Sequence, residues 1–155
     1  MTSMKRISVG LALALIVATS ATNAMAHVDA PQPDTLPAAH GGQFVVAGSY
    51  SYELVVARDS KDGKESPVVV YVTDHAGQKV PTAGAIGSAT ILAGKLKASA
   101  TLQPDGDNRM KGLANYAAMP DMKVVVSIAL SGKPPEQTRF TPMAVASDGH
   151  TDHKH

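Results

Sequence analysis

From Gln43 to Ala144, short apolar runs alternate with clusters of Gly, Pro, Asp and Ser. The runs are QFVVAG (43–48), SYELVVAR (51–58), SPVVVYVTD (66–74), SATIL (88–92), KLKASATL (95–102), RMKGLANY (109–116), KVVVSIAL (123–130) and QTRFTPMA (137–144). Each has the length and the β-branched content of a strand rather than a helix. KLKASATL alternates strictly, with Leu96, Ala98, Ala100 and Leu102 on one face and Lys95, Lys97, Ser99 and Thr101 on the other, which predicts a half-buried strand. KVVVSIAL is apolar almost throughout and predicts a central strand covered on both sides. The joints Ala93-Gly94, QPDGDN, AAMPD and SGKPPE carry turn chemistry. VPTAGAIGSA (80–89) is too rich in Gly and Pro for a regular element and reads as a loop crossing between strands. The pattern predicts an all-β, antiparallel β-sandwich of about seven to eight strands.

The chain ahead of that domain has a different character. Lys5 and Arg6 precede the apolar run ISVGLALALIVA (7–18), and small residues then end in Ala24-Met25-Ala26. A basic start, a short apolar stretch and an A-x-A site predict a signal-peptide helix over residues 1–26, cut between Ala26 and His27. The apolar run falls short of the ~20 residues that span a bilayer, so no stable membrane anchor is expected after cleavage. Residues 27–42 hold Pro31, Pro33 and Pro37 and read as an extended leader, since each proline fixes φ and removes a donor. Residues 43–146 are the sandwich domain, and 147–155 (SDGHTDHKH) a polar, flexible His-rich tail. The expected location is the periplasm.

Composition narrows the chemistry. The chain has no cysteine, which removes disulfides, thiolate metal sites and thiol catalysis together. Without Lys5 and Arg6, its 14 basic residues become 12 against 13 acidic ones, so nucleic-acid binding has no basic stripe to rest on. There is no G-x-S-x-G elbow, phosphate-binding glycine loop or H-E-x-x-H pair, and no enzyme is expected.

Histidines carry what chemistry remains. Cleavage after Ala26 would place an α-amino group and an imidazole on His27, a bidentate chelator. His40 closes the leader, and the tail spacing His150-x-x-His153-x-His155, with Asp148 nearby, adds further nitrogen and oxygen donors. Imidazole suits Cu(II), Ni(II) and Zn(II). Copper is the expected ion, with zinc or nickel as alternatives. Because imidazole ligates in its neutral form, binding is expected to weaken as pH falls through about 6.5. Secondary candidates are His75, in a sequence that reads equally as a hairpin turn, and the thioethers Met119 and Met122 of MPDM, which read equally as core-filling residues.

HGG (40–42), SYELVV (51–56), VYVTDHAGQKVPTAGA (70–85), LQPDGDNRM (102–110) and TRF (138–140) together resemble small exported proteins found near heavy-metal, often copper, efflux genes of Gram-negative bacteria. The HGG…YELV opening is similar to a segment of the periplasmic adaptor subunits of cation-efflux pumps. GQKVPTAGA is similar to a signature of YtkA-like immunoglobulin-type domains. The resemblance implies an immunoglobulin-like sandwich and a role in metal tolerance. A narrower likeness, to CopC-type copper carriers, concerns a histidine as first mature residue and an Asp-x-His pair, matched here by Asp148 and His150. In those carriers the pair is followed by another strand, whereas here it lies in the terminal tail.

Two functions follow as expectations. One is a non-catalytic periplasmic metal-binding or carrier protein in copper homeostasis or resistance. The other is an envelope interaction module docking on an efflux adaptor or assembly through a sheet edge.

Overall fold

The computed structural model describes residues 38–144. The expected signal-peptide helix, His27, Asp148, His150, His153 and His155 lie outside the described residues. Within them every regular element is a strand: β1 (Gln43–Ala47), β2 (Tyr50–Val56), β3 (Glu65–Thr73), β4 (Ile86–Ala93), β5 (Leu96–Pro104), β6 (Arg109–Asn115), β7 (Lys123–Ala129) and β8 (Glu136–Phe140). Each overlaps one apolar run, because β-branched residues suit a pleated, half-buried surface, although β4 begins at Ile86, ahead of its run, and β8 ends at Phe140, with Thr141–Ala144 forming a turn.

All neighbours are antiparallel, in the order β1-β2-β3-β6-β5-β4-β7-β8. β1-β2-β3-β6 forms one layer and β5-β4-β7-β8 the other. The layers are joined where β5 pairs with β6 at Gln103–Lys111 and Pro104–Met110. The runs β2-β3-β6 and β4-β7-β8 follow the A-B-E and C-F-G order of an immunoglobulin domain. β5 pairs with β4 along most of its length and with β6 at its end, so it passes from one layer to the other. The single sheet thus folds over on itself as an immunoglobulin-like sandwich, close to a closed barrel.

Its two free edges, β1 and β8, come together. The side chain of Gln43 accepts from Thr141 N–H at 2.7 Å and donates to Thr141 Oγ1 at 3.5 Å. Glu136, at the start of β8, accepts from the Tyr52 hydroxyl at 2.9 Å and from Ser49 N–H, in the β1–β2 turn, at 3.3 Å.

Between the layers Leu54, Val68, Val70, Val72, Ile91, Leu102, Met110, Val124, Val126, Ile128 and Phe140 are sealed from solvent. The alternation expected of KLKASATL holds at Ala100 and Leu102, which are buried, and at Ala98, which is partly buried. Leu96 is exposed, because it pairs with Ala93 beside the hairpin turn at the sheet's end. β7 departs from expectation. Val124, Val126 and Ile128 are buried, but Val125, Ser127 and Ala129 face outward and are partly exposed. The strand is covered on one side only. Val125 instead pairs laterally with Thr90 of β4 and Arg139 of β8, the cross-strand contact that β-branched residues favour.

Loops are held by buried polar groups. The crossing segment ends at Ala85, since β4 starts at Ile86. Thr82 in it is fully buried and donates to Arg109 C=O at 3.0 Å, while the Asn108 amide donates to Val72 C=O at 3.0 Å. The Tyr116 hydroxyl donates to Pro67 C=O at 2.7 Å and accepts from Ala57 N–H at 2.9 Å, pinning the β2–β3 connection. Burial raises the pKa of both Tyr116 and Tyr52; for Tyr52 the Glu136 carboxylate adds to the effect.

Candidate functional site

The outer face of the first layer carries a transverse row. The register sets Phe44 of β1 opposite Glu53 of β2, Glu53 opposite Tyr71 of β3, and Tyr71 opposite Arg109 of β6. Side chains alternate along a strand, so while Tyr52 and Leu54 enter the core, Glu53 faces away from it. A carboxylate there is ordinarily solvated. Glu53 is only 5% exposed.

What covers it is the HGG turn. Residues 38–42, the part of the leader within the described residues, turn back over the row instead of continuing extended, with Gly41 N–H reaching Ala38 C=O at 3.4 Å. Glu53 Oε1 accepts from His40 N–H at 2.7 Å and Gly42 N–H at 3.0 Å, and Oε2 accepts from His40 Nδ1 at 2.8 Å. Each residue of the motif has a separate reason to be there. Gly41 has φ +75°, a left-handed conformation that side chains strain. A Cβ on Gly42 would sit 2.2 Å from Leu54 C=O, so only glycine lets the turn approach β2. His40 supplies the second ring over the row, lying on Tyr71 with centroids 3.6 Å apart and planes 2° from parallel.

Electrostatics then settle the imidazole's tautomer. An ionised carboxylate only accepts hydrogen bonds, so Nδ1 carries the proton, and in the neutral ring the lone pair is on Nε2. Nε2 has no partner among the described residues, and the ring is 43% exposed. A carboxylate behind a histidine whose far nitrogen is open is the arrangement that metal-ligating histidines ordinarily have.

Beside the stacked rings is a cleft of about 250 Å³ lined by Ala39, His40, Phe44, Glu53, Tyr71, Thr73 and Gly77. Its walls are mostly apolar, with the carboxylate at its base. Thr73 and Gly77 flank the turn that bears His75. That turn is held by Asp74, whose Oδ1 accepts from Ala76 N–H at 2.9 Å and Gln78 N–H at 2.8 Å. Beyond Tyr71, Arg109 donates to Asp105 C=O at 2.7 Å and pairs with its carboxylate at 2.9 Å. Tyr71 and then Asp105 hold the Arg109 guanidinium above its ordinary pKa.

Of the residues singled out from sequence, His40 lines this cleft, whereas His75 is exposed in the neighbouring turn and is not among the lining residues. Met119 is exposed at the β6–β7 turn and Met122 is fully buried in the core, joined to it only by the turn bond from Met122 N–H to Met119 C=O at 2.9 Å. Among the described residues no three His, Asp or Glu side chains converge as a metal cage. Glu53 was not among the sequence candidates. Its signal was a lone acid inside an apolar strand, YELVV, downstream of HGG.

No family model matches the chain. No curated protein matches it either.

Proposed function

We propose that this chain is a non-catalytic periplasmic metal-binding or carrier protein serving heavy-metal homeostasis or resistance, with copper as its ion. The observation that carries the reading is the Glu53–His40 hydrogen bond at 2.8 Å, which fixes the imidazole and leaves Nε2 as an outward donor. The supply of other imidazoles at His27, His150, His153 and His155, and the absence of cysteine, favour nitrogen ligation of Cu(II) over thiolate ligation of Cu(I). Asp148 adds an oxygen donor beside them.

Titration of the full chain with Cu(II), followed by calorimetry and electron paramagnetic resonance, tests this. The expected result is saturable binding with nitrogen hyperfine structure, weakened on lowering the pH. No binding beyond that of a histidine-free control peptide would overturn it.

A further inference from the structure

We infer that the cleft beside the HGG turn is a binding site for an alkylated ammonium, the head of a quaternary or tertiary amine, held over the Glu53 carboxylate between Phe44 and the His40–Tyr71 stack. The inference goes beyond the metal-carrier reading and does not depend on it.

Charge is the first support. Glu53 is the acid among the lining residues, and no lysine or arginine lines the cleft with it. Although only 5% exposed, it makes no ion pair with a lysine or arginine among the described residues. Its partners are two backbone N–H groups and the His40 imidazole. With that ring neutral, the carboxylate is hydrogen-bonded but its charge is not balanced. Such a charge between apolar walls attracts a cation more strongly than one in water does.

The aromatic groups are the second support. Phe44 of β1 and Tyr71 of β3 sit opposite Glu53 on its two sides, which spaces them about 10 Å apart across the carboxylate. Phe44 forms one aromatic wall, and Tyr71 with the His40 ring stacked on it at 3.6 Å forms the other. Rings gathered around a cation attract it through their negative faces.

The shortage of acceptors selects the class of cation. A carboxylate offers about four lone-pair sites. The turn already occupies three of those on Glu53. A primary ammonium or a guanidinium would bring several N–H donors to walls made largely of Ala39, Phe44 and Gly77, and would leave most of them unmatched. An alkylated ammonium spreads its charge over its methyl groups and needs few acceptors or none. The cleft volume of about 250 Å³ limits the ligand to one small head group.

The test uses the full chain, kept metal-free with a chelator. It is titrated with choline and, separately, with choline's neutral carbon isostere, in which tert-butyl replaces trimethylammonium. Nuclear magnetic resonance is expected to show saturable choline binding that shifts the ring protons of Phe44 and Tyr71, with saturation transfer to the choline methyl groups. The neutral isostere is expected to bind more weakly by about tenfold or more. Phe44→Leu leaves the hydrogen bonds of Glu53 in place and is expected to lower choline affinity about 3- to 30-fold. Glu53→Gln keeps the size and one acceptor oxygen and is expected to remove the preference for choline over the isostere. Thermal melts confirm that each variant is folded; should Glu53→Gln not fold, the two ligands compared on the unsubstituted chain still report the charge. Absence of saturable choline binding, equal binding of the isostere, or unchanged choline affinity in folded Phe44→Leu overturns the inference. The metal-carrier reading answers to the Cu(II) titration alone, so either can fail without the other.

Discussion

The rings of His40 and Tyr71 lie parallel, with centroids 3.6 Å apart, so that a residue of the turn ahead of β1 roofs a residue of β3. The stack places a flat apolar cover beside the Glu53 carboxylate, and the hydrogen bonds beneath it are shielded from water. Tyr71→Leu keeps an apolar side chain but removes the stack. It is expected to cost about 1 kcal/mol, the value typical of an aromatic pair, in urea denaturation. The same variant should show faster amide exchange at His40 and Gly42.

The two glycines of the turn should fail in different ways. Gly42→Ala drives a Cβ into Leu54 C=O, where backbone rather than a pliable side chain must move, and is expected to destabilise by roughly 2–4 kcal/mol. Gly41 has open space around it and only its positive φ to lose, so Gly41→Ala should cost about 1 kcal/mol and Gly41→Asn less. Equal costs in thermal melts would show that the close approach to β2 is not what limits the turn.

Tyr52 and Tyr116 make the fold sensitive to alkali. Burial raises both phenols above the unfolded value near 10, so the folded state holds their protons more tightly than the unfolded chain does. Their contribution is therefore fully present below pH ~10 and is lost as pH rises beyond it. Stability measured by urea denaturation should fall from about pH 10 upward, and Tyr52→Phe should flatten that fall. A pH-independent difference between wild type and Tyr52→Phe across this range would refute the linkage.

Near neutral pH, Tyr116→Phe isolates the latch on the β2–β3 connection. It removes a donor to Pro67 and an acceptor for Ala57 N–H, at an expected cost of about 1–3 kcal/mol. Local amide exchange at Ala57 should accelerate more than the global loss accounts for.

Much of the fold was legible because strand signals are local. VVVYV, SATIL and KVVVSI declare themselves by residue type, and the turns by Gly, Pro and Asp. What escaped was non-local. KVVVSIAL reads as buried on both faces, yet the lateral company of Thr90 and Arg139, which no run of residues reveals, decides how Val125 is used. The site escaped for a related reason. His40 was visible as a donor, but the acid that orients it lies 13 positions on, inside a run that reads as ordinary strand. Nor did VYVTDH announce that its turn forms the wall facing His40; that follows only from the register of β2 on β3.

The meeting of β1 with β8 bears on how the protein survives in company. A bare strand margin offers vacant amides to any neighbouring chain, and a cysteine-free domain has no crosslink to restrain opening. Here the side chains of Gln43 and Glu136 hold the two margins against each other. Loss of these two side chains, remote from the cleft, would release both margins and is expected to show first as fibrils at high concentration.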